Sequence, residues 1–248
     1  MRTLYGLGYS PWSERARWAL EHHHLPYRYR EHLPLVASPW LRLRGRRPLG
    51  RVSVPFLEDD AGARVFDSVA IARYAERCGT GPRLFPEGSE RDVHRAVAEA
   101  DLVLAVARAR VIARVRNDPE AQREAAPAFV PAQVASALAP VARATASLLA
   151  RKYGAPAHDD ASVAERMVPR LAALSAALDG REYVTGAFTF ADVVVASMLQ
   201  CVTPVEHPSW VVGPATRRAW TEPALAERFA DLLAYRDRVY ARHRAPPS

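Results

Sequence analysis

The chain changes its physical pattern once, near residue 78, and that change limits what it can fold into. Up to that point the apolar stretches are short and bounded by turn residues. They read as strands at 3–7 (TLYGL), 27–32, 54–58 (VPFLE) and 63–66 (ARVF), with Asp59-Asp60-Ala61-Gly62 as a hairpin turn between the last two. Beyond it, residues 91–116, 131–153, 161–178, 189–203 and 222–243 are long, rich in Ala and Leu, and periodic at helical spacing. Residues 79–90, GTGPRLFPEGSE, hold three Gly and two Pro and read as a linker. The expectation is an α+β protein with its sheet confined to residues 1–78, a linker at 79–90 and an all-helical bundle at 91–248.

Two helices complete the first part. Residues 11–24 have Ser10 as an N-cap, Pro11 at N1, acidic Glu14 in the first turn and Pro26 just beyond the end. Residues 68–77 start at Ser68, place Ile71, Ala75 and Cys78 along one face, and stop at Gly79. The Arg-rich residues 39–49 leave room for a short, irregular helix, so the order is βαβ-α-ββα. Residues 117–130, with Asn117-Asp118-Pro119 and Pro127, read as a break between helices.

Of the 248 residues, 49% are apolar and 25% charged, as in ordinary globular proteins. No apolar run is long enough for a membrane span, and the N-terminus lacks the apolar core of a secretory signal. Cys78 and Cys201 lie far apart and outside any metal-ligand spacing, which predicts free thiols in a reducing, cytoplasmic setting. The net charge is +7, and Lys152 is the only lysine. The arginines are dispersed among acidic residues with no basic tail, which argues against nucleic acid. The Arg-for-Lys choice reads as compositional. Consecutive histidines at 22–24 point in three directions, cannot share one ion, and read as a solvated helix end. No metal is expected.

The chemistry-bearing stretch is Ser10-Pro11-Trp12-Ser13-Glu14-Arg15, where a strand hands over to a helix. Ser10 serves either as a plain cap or as part of a thiol-handling site, because a helix N-terminus stabilises an anion placed before it.

Three segments decide between these readings. YSPWSERARWALEHHHLPY (9–27), VSVPFLEDDAGARVFDSVAIARYAE (52–76) and TGAFTFADVVVAS (185–197), in this order, resemble the cytosolic glutathione transferase superfamily, in its serine-type, bacterial-like form. The resemblance implies a thioredoxin-like N-terminal domain followed by an all-α bundle, glutathione as co-substrate, a small hydrophobic electrophile, a homodimer and a role in detoxification. It implies that Ser10 carries the activating hydroxyl, with Ser13, Tyr5 and Tyr9 as rivals. It further implies a cis peptide at Val54-Pro55, with Val54 pairing its backbone with the cysteinyl part of glutathione. Asp67 and Ser68 would hold the γ-glutamyl end. Arg51 would hold the glycine carboxylate, with Arg42 and Arg47 as alternatives, because the segment before Pro55 is two residues longer than the family pattern.

Thr189 and Asp192 form an S/T-x-x-D capping box with a folding role. The electrophile pocket is expected between Leu7, Trp12 and the first long helix, at Val106 and Arg110, with Leu102 and Arg114 nearby. Serine at both 10 and 13 excludes the mixed-disulfide chemistry that cysteine supports. Conjugation is therefore the expected reaction. A glutathione-dependent peroxidase, isomerase or dehalogenase, or a non-catalytic binding or regulatory module on the same fold, are the alternatives.

Overall fold

The computed structural model describes residues 1–32, 43–45, 53–124, 144, 147–148 and 159–245. Strand β1 (Arg2–Gly6) leads through a turn into helix α1 (Pro11–His22) and strand β2 (Tyr27–Glu31). Strands β3 (Phe56–Glu58) and β4 (Arg64–Phe66) follow, then helix α2 (Ser68–Cys78). The sheet order is β2-β1-β3-β4; β1 and β2 run parallel, and the other two pairs are antiparallel.

Strand alternation splits the sheet into two faces. Leu4 and its cross-strand partner Leu57 are fully buried under α1 and α2, among Ala16, Leu20, Ile71 and Ala75. Their neighbours Tyr5 and Phe56 point the other way, where Tyr5 stacks on Phe56 and Phe56 on Phe66.

From Glu90 on, every regular element among the described residues is helical. Helix α3 (Glu90–Asn117) is the longest, and α4 (Pro119–Glu124) follows at once. A helical turn at Asp160–Ser162 and a π-helical turn at Val163–Met167 lead into α5 (Val168–Leu178). Helix α6 (Phe190–Met198) is buried at all nine positions, as a helix apolar on every side must be. It packs against α3 on one side and α1 on another. After a 3₁₀ turn at Leu199–Cys201 come α7 (Pro214–Trp220), α8 (Pro223–Arg228) and α9 (Ala230–His243).

Several expectations need correction. The proposed break at 117–130 begins with α4, capped by Asp118, whose side chain accepts from the Glu120 and Ala121 N–H groups. Helix α7 was not anticipated, although Gly213-Pro214 is a start signal, with proline at N1. Residues 222–243 form two helices rather than one, broken at Phe229 (φ −117°, ψ 41°) with no proline or glycine to mark the break. Cys78 is exposed and not on the buried face of α2. The histidine run is not a solvated helix end: His23 is fully buried, His22 meets the Pro82 carbonyl at 2.9 Å and packs near Phe188, and only His24 is exposed. Most of the expected helices at 39–49 and 131–153 lie outside the described residues.

The capping box of α6 is present and extends further than its sequence pattern. The buried Asp192 carboxylate accepts the Thr189 N–H (2.8 Å), the Thr189 hydroxyl (3.2 Å), the Val184 N–H (2.8 Å) and the Tyr235 hydroxyl (2.7 Å). Burial pushes its carboxyl above the ordinary range, and these bonds pull back. Thr189→Ala is expected to lower stability by about 1 kcal/mol, the usual cost of a lost cap. Asp192→Ala, which strands four donors on three residues, is expected to cost about 3–5 kcal/mol, since each buried donor left unpaired costs about 1–3 kcal/mol. Urea unfolding midpoints check both values and their order.

Candidate functional site

The sheet register gathers the sequence-predicted residues at one end. Tyr5 pairs with Phe56, and Phe56 pairs with Phe66. The chain leaving β1 (Leu7 to Ser10), the chain entering β3 (Val54-Pro55) and the chain leaving β4 (Asp67-Ser68) therefore emerge side by side. Parallel pairing of Gly6 with Glu31 brings the end of β2 to the same edge.

Ser10 caps α1 with extended backbone geometry (φ −97°, ψ 122°), and its Oγ accepts the Ser13 N–H at 3.5 Å. As an acceptor here, the Ser10 hydroxyl keeps its proton to donate. It is 9% exposed. The loop before it is tied from several sides. Leu7 N–H donates to Ser13 Oγ (3.0 Å), Gly8 N–H donates to Glu31 Oε1 (3.0 Å), and Arg17 Nη2 donates to the Gly8 carbonyl (3.3 Å).

The rival hydroxyls differ in placement. Ser13 is 0% exposed and turned back onto β1, where it meets Leu7. Tyr5 stacks on Phe56 on the opposite sheet face. Tyr9 is half-buried against the core, and burial together with Glu31 pushes its hydroxyl up to about 12.

The Val54-Pro55 peptide is cis. Asp67, not Ser68, caps α2: its Oδ1 accepts the Val69 N–H at 2.8 Å and the Ala70 N–H at 2.9 Å. Ser68 is the first helical residue and is buried. The short aspartate side chain is the length that reaches its own helix's N–H groups. Asp67 has φ +65° with ψ 158°, a region nearly restricted to glycine. Arg51, with its alternatives Arg42 and Arg47, lies outside the described residues.

The expected electrophile pocket comes together only in part. Leu7 and Trp12 are half-buried near the site, and the Trp12 indole N–H donates to Asp101 Oδ1 of α3 at 3.0 Å. The Arg108 guanidinium lies over the Trp12 ring at 5.3 Å. Val106 is fully buried in the core. Arg110 forms a two-pronged pair with Glu222 (2.6 and 3.1 Å) and a third contact with Asp160. Arg114 joins the same Glu222, and Leu102 is exposed.

Sequence reasoning missed Arg15. Its guanidinium is fully buried between α1, Asp101 (3.0 Å) and Ser197 of α6 (3.2 Å). An arginine in the first half of an amphipathic helix reads as surface, and no local signal marks its burial. Among the described residues, no group of three or more His, Cys, Asp or Glu is placed to hold a metal ion, and no helix is long and apolar enough to cross a membrane.

Residues 9–78, the stretch that builds this sheet end, match the family described as glutathione S-transferase, N-terminal domain. This match covers less than a third of the chain. Solved glutathione S-transferases share the whole fold. One from Phanerochaete chrysosporium has 21% identity and a TM-score of 0.61, covering 100% of this chain and 98% of that one. One from Methylobacillus flagellatus, solved with glutathione bound, has 18% identity and a TM-score of 0.60, covering 100% of both chains. One from Rhodospirillum rubrum has 21% identity and a TM-score of 0.58, covering 98% and 89%. At these identities the likeness is one of fold. No curated protein matches the chain.

The backbone at Asp67 has a measurable signature. Asp67→Gly removes the cap and relieves the left-handed strain, so its stability is expected to match or exceed that of the wild type. Asp67→Ala removes the cap and keeps the strain, and is expected to be about 1–3 kcal/mol less stable than the glycine variant. Denaturant midpoints of the two variants check this difference.

Proposed function

We propose that this chain is a glutathione transferase in which the Ser10 hydroxyl and the N-terminus of α1 hold the glutathione thiolate for attack on a small hydrophobic electrophile. The observation that carries this reading is the capping geometry of Ser10. It leaves a hydroxyl proton to donate at a helix N-terminus, at the sheet end where Val54-Pro55 and Asp67-Ser68 also emerge.

Glutathione lies extended across that end. Its thiol sits before α1, where the helix dipole and the Ser10 O–H favour the anion and lower the thiol from about 8.5 toward neutrality. The Val54 backbone pairs with the cysteinyl unit. Asp67 Oδ1 takes the Val69 and Ala70 N–H groups, which leaves the Ser68 N–H and hydroxyl at the start of α2 for the γ-glutamyl carboxylate. The thiolate then attacks the electrophilic carbon held beside Leu7 and Trp12, and the leaving group departs with its electron pair. Proximity and the shifted thiol supply the rate, with no protein nucleophile. Serine at 10 and 13 has no sulfur for thiol-disulfide exchange. We further propose that the protein works as a cytoplasmic homodimer.

Titration of the bound glutathione thiol by its thiolate absorbance tests this. Wild type is expected to show a thiol below the free value. Ser10→Ala is expected to raise it by about one to two pH units, the worth of a hydrogen bond to a charged group, and to cut kcat/KM at pH 7 by about 10- to 100-fold. A lowered thiol that ignores the substitution would move the role to another hydroxyl. No glutathione binding would leave a binding module without this chemistry.

A further inference from the structure

Glu14 is a buried titratable group that the mechanism above does not use. It lies in the first turn of α1, fully buried, and its backbone N–H donates to the Ser10 carbonyl at 2.9 Å. A carboxylate one helical turn behind Ser10, about 5.4 Å along the axis, opposes any anion held at the helix start. Two guanidiniums answer it. Arg244 Nε donates to Glu14 Oε1 at 2.7 Å, and Arg17 Nη2 lies 2.5 Å from Oε2. The Arg244 side chain is 1% exposed, projects from the residue just after α9, and also reaches Glu21.

We propose that Arg244 is a positioning residue for the thiolate site, acting through Glu14: the buried pair cancels the Glu14 charge at the start of α1, so that the C-terminal residues of the chain set the field in which the thiol ionises. This rests on the reading of Ser10 given above.

The groups packed around Glu14 are paired in charge, with Glu31 facing Arg17 and Tyr29 at the rim. Glu14 and Glu21 carry two negative charges, and Arg17 and Arg244 two positive ones. The Tyr240 hydroxyl approaches Glu14 Oε1 at 3.5 Å, and Tyr27 donates to Glu21 at 2.5 Å. The Tyr29 ring lies under Arg17 at 5.5 Å, and the His207 ring lies 5.3 Å from Tyr240. Burial opposes the Glu14 charge and the two arginines outweigh it, so its carboxyl falls below the ordinary range. The Arg244 guanidinium is correspondingly raised. The pair is therefore ionised throughout the range in which a thiol titrates. Arg244 is also not the sole anchor of its segment, since the Trp18 indole N–H donates to the His243 carbonyl at 3.1 Å.

The test is the thiol titration in Arg244→Met, Arg244→Lys, Glu14→Gln and the double variant Glu14→Gln/Arg244→Met. Arg244→Met uncovers a negative charge and is expected to raise the bound thiol by about one unit, a roughly tenfold loss of thiolate at pH 7. Glu14→Gln uncovers a positive charge and is expected to lower it. The double variant is expected to return toward wild type, and Arg244→Lys to stay near it. Shifts in opposite directions are the signature, because damage to packing moves both single variants the same way. Equal or absent shifts beside a lowered wild-type thiol overturn this inference and leave the Ser10 reading intact. A wild-type thiol at its free value, or no glutathione binding, overturns both. If Arg244→Met does not fold, Glu14→Gln decides alone, and a thiol that fails to fall overturns the proposal.

Discussion

The structure turns on the docking of α1 by the buried Arg15 guanidinium. That group lies between Asp101 of α3 and Ser197 of α6, and Asp101 takes the Trp12 indole N–H as well. A buried cation with a single carboxylate partner holds only where the geometry is right, since a mismatch of even a turn leaves the charge without compensation. Burial pulls the guanidinium down from its ordinary range and Asp101 opposes the shift. The same helix packs on α2 through its apolar face. Its position is thus overdetermined, and with it the placement of Ser10.

Arginine does this work elsewhere too. Arg236 is buried and donates to the carbonyls of Leu199 and Thr203, and Arg110 grips Glu222 with both prongs. A planar five-donor fork spans two acceptors at once, which an ammonium cannot match. The near absence of lysine, read from the sequence as compositional, therefore coincides with a structural use of the fork at the places where helices meet. Apolar area supplies the bulk of the cohesion; these pairs supply angular specificity.

Local patterns made much of the fold legible. Ser10-Pro11 and Thr189-x-x-Asp192 marked helix starts that the structure reproduces. Legibility failed where a residue's fate depends on a distant partner. His23 reads as polar and lies under the chain at 79–82; Arg15 and Glu14 read as one amphipathic surface and are wholly inside. Phe229 breaks a helix without any local breaker, so tertiary packing outweighs propensity there. At the candidate site, the resemblance named Ser10, Val54-Pro55 and Asp67-Ser68, and strand register brings these residues to one sheet end. Val106 in the core and Arg110 on Glu222 could not be foreseen, because a helix periodicity shows which residues share a face and not what that face meets.

The glycines after α2 carry a consequence for how the chain is joined. Gly79 and Gly81 lie so close to the carbonyl oxygens of His23 and His22 that a methyl group at either would overlap them, and the Thr80 N–H donates to the His23 carbonyl at 3.1 Å. Glycine is used here for contact of main chain on main chain and not for slack. The stretch that resembles a tether is a weld, fusing the end of α1 to the path that leads into α3. A side chain larger than hydrogen at either glycine would push the two segments apart.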